Sequence, residues 1–105
     1  MPTIFIIGKT NLSVLAMDMQ TNNAIFGKTN NPWDTTKTSG GSSGGCATAL
    51  ATGMTPLSLG NDLAGSIRLP SAYCGVYGFK PSFGVVSING IQTNPKEPVN
   101  GLKSL

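Results

Sequence analysis

Histidine is absent from this chain of 105 residues. A Ser-His-Asp hydrolase site is therefore excluded, and so is a metal centre built on imidazole. Charge is scarce: 10% of the residues are charged and the net charge is +3, without any cluster of Lys or Arg. That argues against nucleic acid as a partner. Cysteine is limited to Cys46 and Cys74, 28 positions apart and outside any C-x-x-C pair. Both read as small buried residues with reduced thiols, which points to a cytoplasmic protein. No apolar run is long enough to cross a bilayer, and "TIFII" lacks the length and basic flank of a signal peptide. No metal, cofactor or membrane segment is expected.

What is present is apolar residues at 39% together with 14 glycines, the composition of an ordinary globular interior. The length allows one domain at most, able to bury roughly two thirds of its unfolded surface if complete. "PTIFIIG", residues 2–8, is a β-branched and aromatic run closed by glycine and predicts a strand buried on both faces. Asn11 is placed to cap a helix to Met19, because Leu12, Leu15, Ala16 and Met19 recur at helical spacing. Residues 20–45 are polar and irregular, with apolar anchors only at Ala24, Ile25, Phe26 and Trp33. "CATALATGM" predicts a short helix ending on Gly53, and "PSAYC" a second with Pro70 in its first turn. "TPLSLG" and "GVYGF" read as strands, and "KPSFGVVSINGIQTNP" as a strand and loop. Alternating strands and helices make the fold class α/β, with residues 4–7, 57–59 and 76–79 expected in one sheet.

Two glycine turns carry serines, "GGSSGG" and "NDLAGS". The first admits several readings. It can be a flexible loop, or a phosphate cradle of free backbone N–H groups. A Walker A loop is not formed, because "GKT" at residues 8–10 has Thr3 where the first glycine belongs, and no GxGxxG pattern occurs. A third reading is nucleophilic catalysis with a neutral lysine as base and a serine hydroxyl passing the proton. "NDLAGS" suits the nucleophile, since a strand feeds a tight turn whose backbone N–H groups at Leu63, Ala64, Gly65 and Ser66 can converge on an oxyanion.

"PWDTTKTSGGSSGG" followed by "GNDLAGSIRLPSAYCGVYGFKPS" resembles the amidase signature family, hydrolases of amide C–N bonds with a Ser-Ser-Lys triad. The likeness extends upstream to "GKTN" and "FGKTNNPWD" and covers nearly the whole chain. It implies that Ser66 is the nucleophile and that Ser42, 24 positions earlier, is the bridging serine preceded by a cis peptide bond. Gly41 is the least crowded partner for such a bond. By the same resemblance the Ser42 and Ser66 hydroxyls lie within hydrogen-bond reach, Ser43 supports the loop, and Asp62 and Arg68 form a pair that braces the nucleophile turn. Ala64 stands where the family more often has glycine. Cys74 is expected in the core nearby.

The family's catalytic lysine lies upstream of its "GKTN"-like segment, in a part of the domain that this chain does not contain. Lys9 is a stand-in by type only, Lys28 and Lys37 belong to the polar loop, and Lys80 before Pro81 reads as structural. Residues 1–105 are thus expected to form a partial amidase domain, a segment of a large mixed β-sheet flanked by helices and lacking its N- and C-terminal parts. The implied function is hydrolysis of a small-molecule carboxamide through a serine acyl-enzyme, with the fragment inactive alone. One alternative is the A subunit of a glutamine-dependent tRNA amidotransferase, placed second because Leu69 is apolar where those proteins tend to be polar. The other is a non-catalytic remnant that binds partner chains, either remaining amidase segments or a second copy through exposed sheet edges.

Overall fold

The computed structural model describes residues 4–87, 89 and 91. Residues 4–12 form neither helix nor strand and lead into a single 3-10 turn at Val14–Ala16. A two-stranded antiparallel ribbon follows, β1 (Asn22–Asn23) and β2 (Gly27–Lys28), in the register Asn22 to Lys28 and Asn23 to Gly27. An irregular loop containing a bridge between Asn30 and Thr38 leads to helix α1, Gly44–Ala51, and a second connection leads to α2, Arg68–Cys74. The two helices pack on each other.

Alanine and glycine explain α1. Small side chains place little volume on the buried face, where Gly44, Gly45, Ala47 and Ala49 sit, so the helix lies close to its neighbours. It stops at Gly53 by reciprocal bonds: Gly53 N–H donates to the Leu50 carbonyl at 3.1 Å and Met54 N–H to that of Ala49 at 2.9 Å. The expected helix over "CATALATGM" is therefore present and begins two residues earlier. Helix α2 likewise covers "PSAYC", with Pro70 as its third residue, where a missing N–H breaks no intrahelical bond. Its last carbonyls are capped by side chains of the polar loop. Asn31 Nδ2 donates to the Tyr73 carbonyl at 2.8 Å, and the Trp33 indole N–H to that of Cys74 at 2.7 Å.

Several expectations are corrected. Residues 12–19 form no α-helix: Leu15 and Ala16 have positive φ, and the Ser13 hydroxyl accepts the Asp18 N–H at 3.3 Å, a local bond that competes with helix. Asn11 caps nothing helical and instead donates to Thr29 Oγ1 at 3.0 Å, tying the N-terminal segment to the residue that follows β2. Residues 4–7, 57–59 and 76–79 enter neither a helix nor a strand. A strand is defined by its ladder, and among the described residues no ladder includes them: Val76 N–H donates to the Ser71 carbonyl at 3.0 Å, a bond at the end of α2, and Ile6 is 92% exposed. Ala24, Ile25 and Phe26 are not anchors but form the exposed turn between β1 and β2, held by Asn23 Oδ1 accepting the N–H groups of Ile25 and Phe26. Of the strand and loop expected over residues 80–95, residues 80–87 form no strand, and positions 88, 90 and 92–95 lie outside the described residues. Cys74 is buried, whereas Cys46 is only half-buried with its Sγ 3.0 Å from Thr10 Oγ1.

The interior is mostly polar. Ala47, Ala49, Pro70 and Cys74 are buried apolar side chains, beside buried Ser39, Ser42, Thr21 and Asp62. Every buried side-chain nitrogen and oxygen described has a hydrogen-bond partner.

Candidate functional site

The two serine turns meet at the N-terminal ends of the two helices. Ser42 lies in the bend before α1 and is buried; Ser66 lies in the turn before α2 and is half-buried. The peptide bond between Gly41 and Ser42 is cis. One backbone bond joins the turns directly, from Ser43 N–H to the Ser66 carbonyl at 3.1 Å. Among the described residues no hydrogen bond links the Ser42 and Ser66 hydroxyls. The turns are neighbours through their main chains.

Gly41 is required by crowding. A Cβ there would stand 2.7 Å from the Asp18 carbonyl oxygen and 2.8 Å from Gln20 N, both backbone atoms that cannot swing away. The Ser42 loop thereby rests against residues 18–20. Thr21, which no sequence pattern marks, holds it from the other side. Its Oγ1 donates to the carbonyls of Gly40 (3.0 Å) and Ser42 (3.1 Å) and accepts the Gly44 N–H at 2.8 Å. The available signal is a lone threonine in "MQTNN", a polar context that gives no hint of complete burial.

Asp62 organises the second turn. Oδ1 accepts the Gly65 N–H at 2.7 Å and Arg68 Nη2 at 2.9 Å; Oδ2 accepts the N–H groups of Ile67 and Arg68, each at 3.0 Å, and Arg68 Nε at 3.1 Å. The carboxylate thus does for α2 what a capping side chain does, from outside the helix, and sets a negative charge at its positive end. Burial alone would push the Asp62 carboxyl up. The side-chain hydrogen bonds from Arg68 and the backbone donors of Arg68, Ile67 and Gly65 outweigh that, and hold it well below the usual carboxylate range. The Arg68 guanidinium is in turn raised by hydrogen bonding to Asp62.

This network sorts three of the four proposed oxyanion donors. Gly65, with φ of +121°, turns its N–H inward to Asp62 and is not available to a ligand. The N–H groups of Ala64 and Ser66 have no acceptor among the described residues and can serve as a donor pair. Cysteine, aspartate and glutamate side chains form no group of three able to hold a metal among the described residues. No helix among them is long and apolar enough to cross a membrane. Among the described residues no lysine reaches either serine by a hydrogen bond: Lys37 pairs with Asp34 at 3.0 Å, Lys80 Nζ donates to the Pro81 carbonyl at 3.3 Å, and Lys9 and Lys28 are exposed.

Comparison with known proteins places this pair of serine turns in a hydrolase family. The sequence matches the Amidase family over residues 3–101, and the chain belongs to that family. Among curated relatives, the glutamyl-tRNA(Gln) amidotransferase A subunit of Alkaliphilus metalliredigens is 56% identical over 86 residues, and that of Deinococcus radiodurans 52%. Each alignment covers 82% of this chain and 18% of the relative, so the chain spans less than a fifth of their length. Among solved structures, the glutamyl-tRNA(Gln) amidotransferase A subunit from Thermotoga maritima superposes with a TM-score of 0.75 at 47% identity, over 79% of this chain and 18% of that one. A bacterial aryl acylamidase of the amidase signature family gives 0.71 at 45% identity, over 73% and 16%. These neighbours fit a partial α/β fold, of which the described residues contain two helices and one ribbon.

Proposed function

We propose that this chain carries the serine half of an amide-hydrolase site, with residues 1–105 forming part of an amidase domain. Ser66 Oγ attacks the carbonyl carbon of a small-molecule carboxamide. Its proton passes to Ser42 Oγ, which gives up its own to a neutral lysine amine supplied by another part of the domain. The N–H groups of Ala64 and Ser66 receive the oxyanion of the tetrahedral intermediate, with Leu63 and Gly65 shaping the turn. The C–N bond breaks as the amine leaves with the returned proton, and water then hydrolyses the Ser66 ester. Ser43, Gly41, Asp62 and Arg68 support the two turns. The observation that carries this reading is the Ser43-to-Ser66 backbone bond, which seats the two serine turns side by side. Two unpaired thiols suit a cytoplasmic setting.

A second reading, the A subunit of a tRNA amidotransferase, is supported by curated relatives of that name at 49–56% identity. There the same chemistry would release ammonia from glutamine. The partners would be remaining amidase segments together with further subunits.

The test is hydrolysis of primary and aryl amides, including glutamine, by the purified chain, Ser66→Ala and Lys9→Ala. No turnover by the chain alone is expected, because among the described residues no lysine reaches Ser42 to receive its proton. Addition of a lysine-bearing amidase segment should restore turnover to the chain but not to Ser66→Ala. Robust turnover by the chain that Lys9→Ala abolishes would overturn the assignment of the base. Rescue that survives Ser66→Ala would overturn the nucleophile.

A further inference from the structure

We propose that Thr21 is a positioning residue for Ser42, an inference that rests on the amide-hydrolase reading above. The side chain is 0% exposed, although threonine is ordinarily a surface residue. Its hydroxyl has one proton, shared between the carbonyls of Gly40 and Ser42, which flank the Gly41–Ser42 peptide on both sides. The same oxygen accepts the Gly44 N–H, the first amide of α1. Three consecutive parts of the serine loop therefore converge on one atom. The Thr21 main chain is itself fixed, since its carbonyl accepts the Thr29 N–H at 2.8 Å at the open end of the β1–β2 ribbon.

The far wall of the loop is backbone of residues 18–20, against which Gly41 has no room to retreat. Between that wall and the Thr21 hydroxyl, the Ser42 main chain has one seat, and Ser43 N–H then sets the distance to the Ser66 turn. Asp62 holds the nucleophile turn and Thr21 holds the relay turn. Loss of the Thr21 hydroxyl frees two carbonyls and one N–H in a closed space, and the loop must move to satisfy them. The Ser42 hydroxyl moves with it. Thr21 touches neither substrate nor the reacting atoms, so its effect passes through Ser42.

The experiment follows acylation of Ser66 by p-nitrophenyl acetate at pH 9, on the purified chain. Nitrophenolate leaves without needing a proton, and Ser42 Oγ takes the Ser66 proton while giving its own to solvent hydroxide, so the relay is still used and no lysine is required. The rate is read from nitrophenolate release and the modified residue from peptide mass spectrometry. Thr21→Val, of nearly equal volume, should slow acylation at Ser66 about tenfold, and Thr21→Ser, which keeps the hydroxyl, should stay within about threefold of the parent. In a Ser42→Ala background Thr21→Val should add little further loss, because the residue through which it acts is gone. An unchanged rate in Thr21→Val, or the same tenfold loss in the Ser42→Ala background, overturns the positioning role while leaving the nucleophile intact. Acylation that is absent in the parent or persists in Ser66→Ala overturns the hydrolase reading, and this inference with it.

Discussion

Replacement of Asp62 by asparagine separates what holds the nucleophile turn from what merely decorates it. Asparagine keeps the shape of aspartate but has one carbonyl oxygen. With that oxygen at the Oδ1 place, its amide nitrogen faces the N–H groups of Ile67 and Arg68; turned over, it faces the buried N–H of Gly65. Either way donor meets donor. A buried N–H without an acceptor costs about 1–3 kcal/mol, and with Ile67 half-buried and Arg68 more open the sum is roughly 2–3 kcal/mol. At a urea slope of about 1 kcal/mol per molar, the midpoint of unfolding should fall by roughly 2 M. Circular dichroism during urea titration measures it, and an Asp62→Asn chain already unfolded without urea meets the same expectation.

Arg68→Ala should shift the midpoint less, because the guanidinium is 57% exposed and water replaces its lost partner. The acid side gives an independent reading. The folded-state pKa of Asp62 lies below the ordinary value of 3.8, so its stabilisation is fully present above about pH 4. It is lost as pH falls towards the folded-state value, and Asp62→Asn should remove that acid-side slope. A midpoint for Asp62→Asn equal to the parent's, or a larger loss in Arg68→Ala, would refute the reasoning that the backbone donors dominate.

Two further outcomes follow from packing and burial. Gly41→Ala should lower the urea midpoint by more than a surface substitution does, by roughly 2 kcal/mol equivalent, because its Cβ would collide with fixed backbone at residues 18–20. A chain as stable as the parent would show that this wall yields. Titration with a colourless-to-yellow thiol reagent should modify Cys46 well before Cys74, whose buried thiol is pushed up in pKa by desolvation, and peptide mapping of the first labelled site checks the order.

Local signals in the sequence were sufficient for the two helices. Alanine density, Gly53 and Pro70 act within a few residues, and the structure answers them directly. The Asp62 and Arg68 pair was legible only through the family resemblance of the nucleophile segment, and the structure shows the two side chains 2.9 Å apart. Strands at 4–7, 57–59 and 76–79 were not reliable for a physical reason. Apolar β-branched runs report only a preference for burial, while a ladder requires a partner that those residues do not themselves supply. Thr21 and Asn31 escaped notice because a polar side chain in a polar loop looks the same whether solvated or buried. Their importance comes from carbonyls 19–42 positions away. The missed ribbon turned on Asn23, whose side chain mimics a turn that no apolar pattern encodes.

The polar interior carries a thermodynamic consequence. Heat capacity rises when apolar surface becomes wet and falls when polar surface does, by about +0.45 and −0.26 cal/K/mol per Å². With Thr21, Ser39, Ser42 and Asp62 inside beside Ala47, Ala49, Pro70 and Cys74, the two contributions oppose each other on unfolding. The stability of the serine turns then varies gently with temperature, and cooling does little to loosen them. A scaffold of this kind keeps its reactive groups in register by direction, through bonds that each accept one geometry, where an oily core would hold them by volume alone.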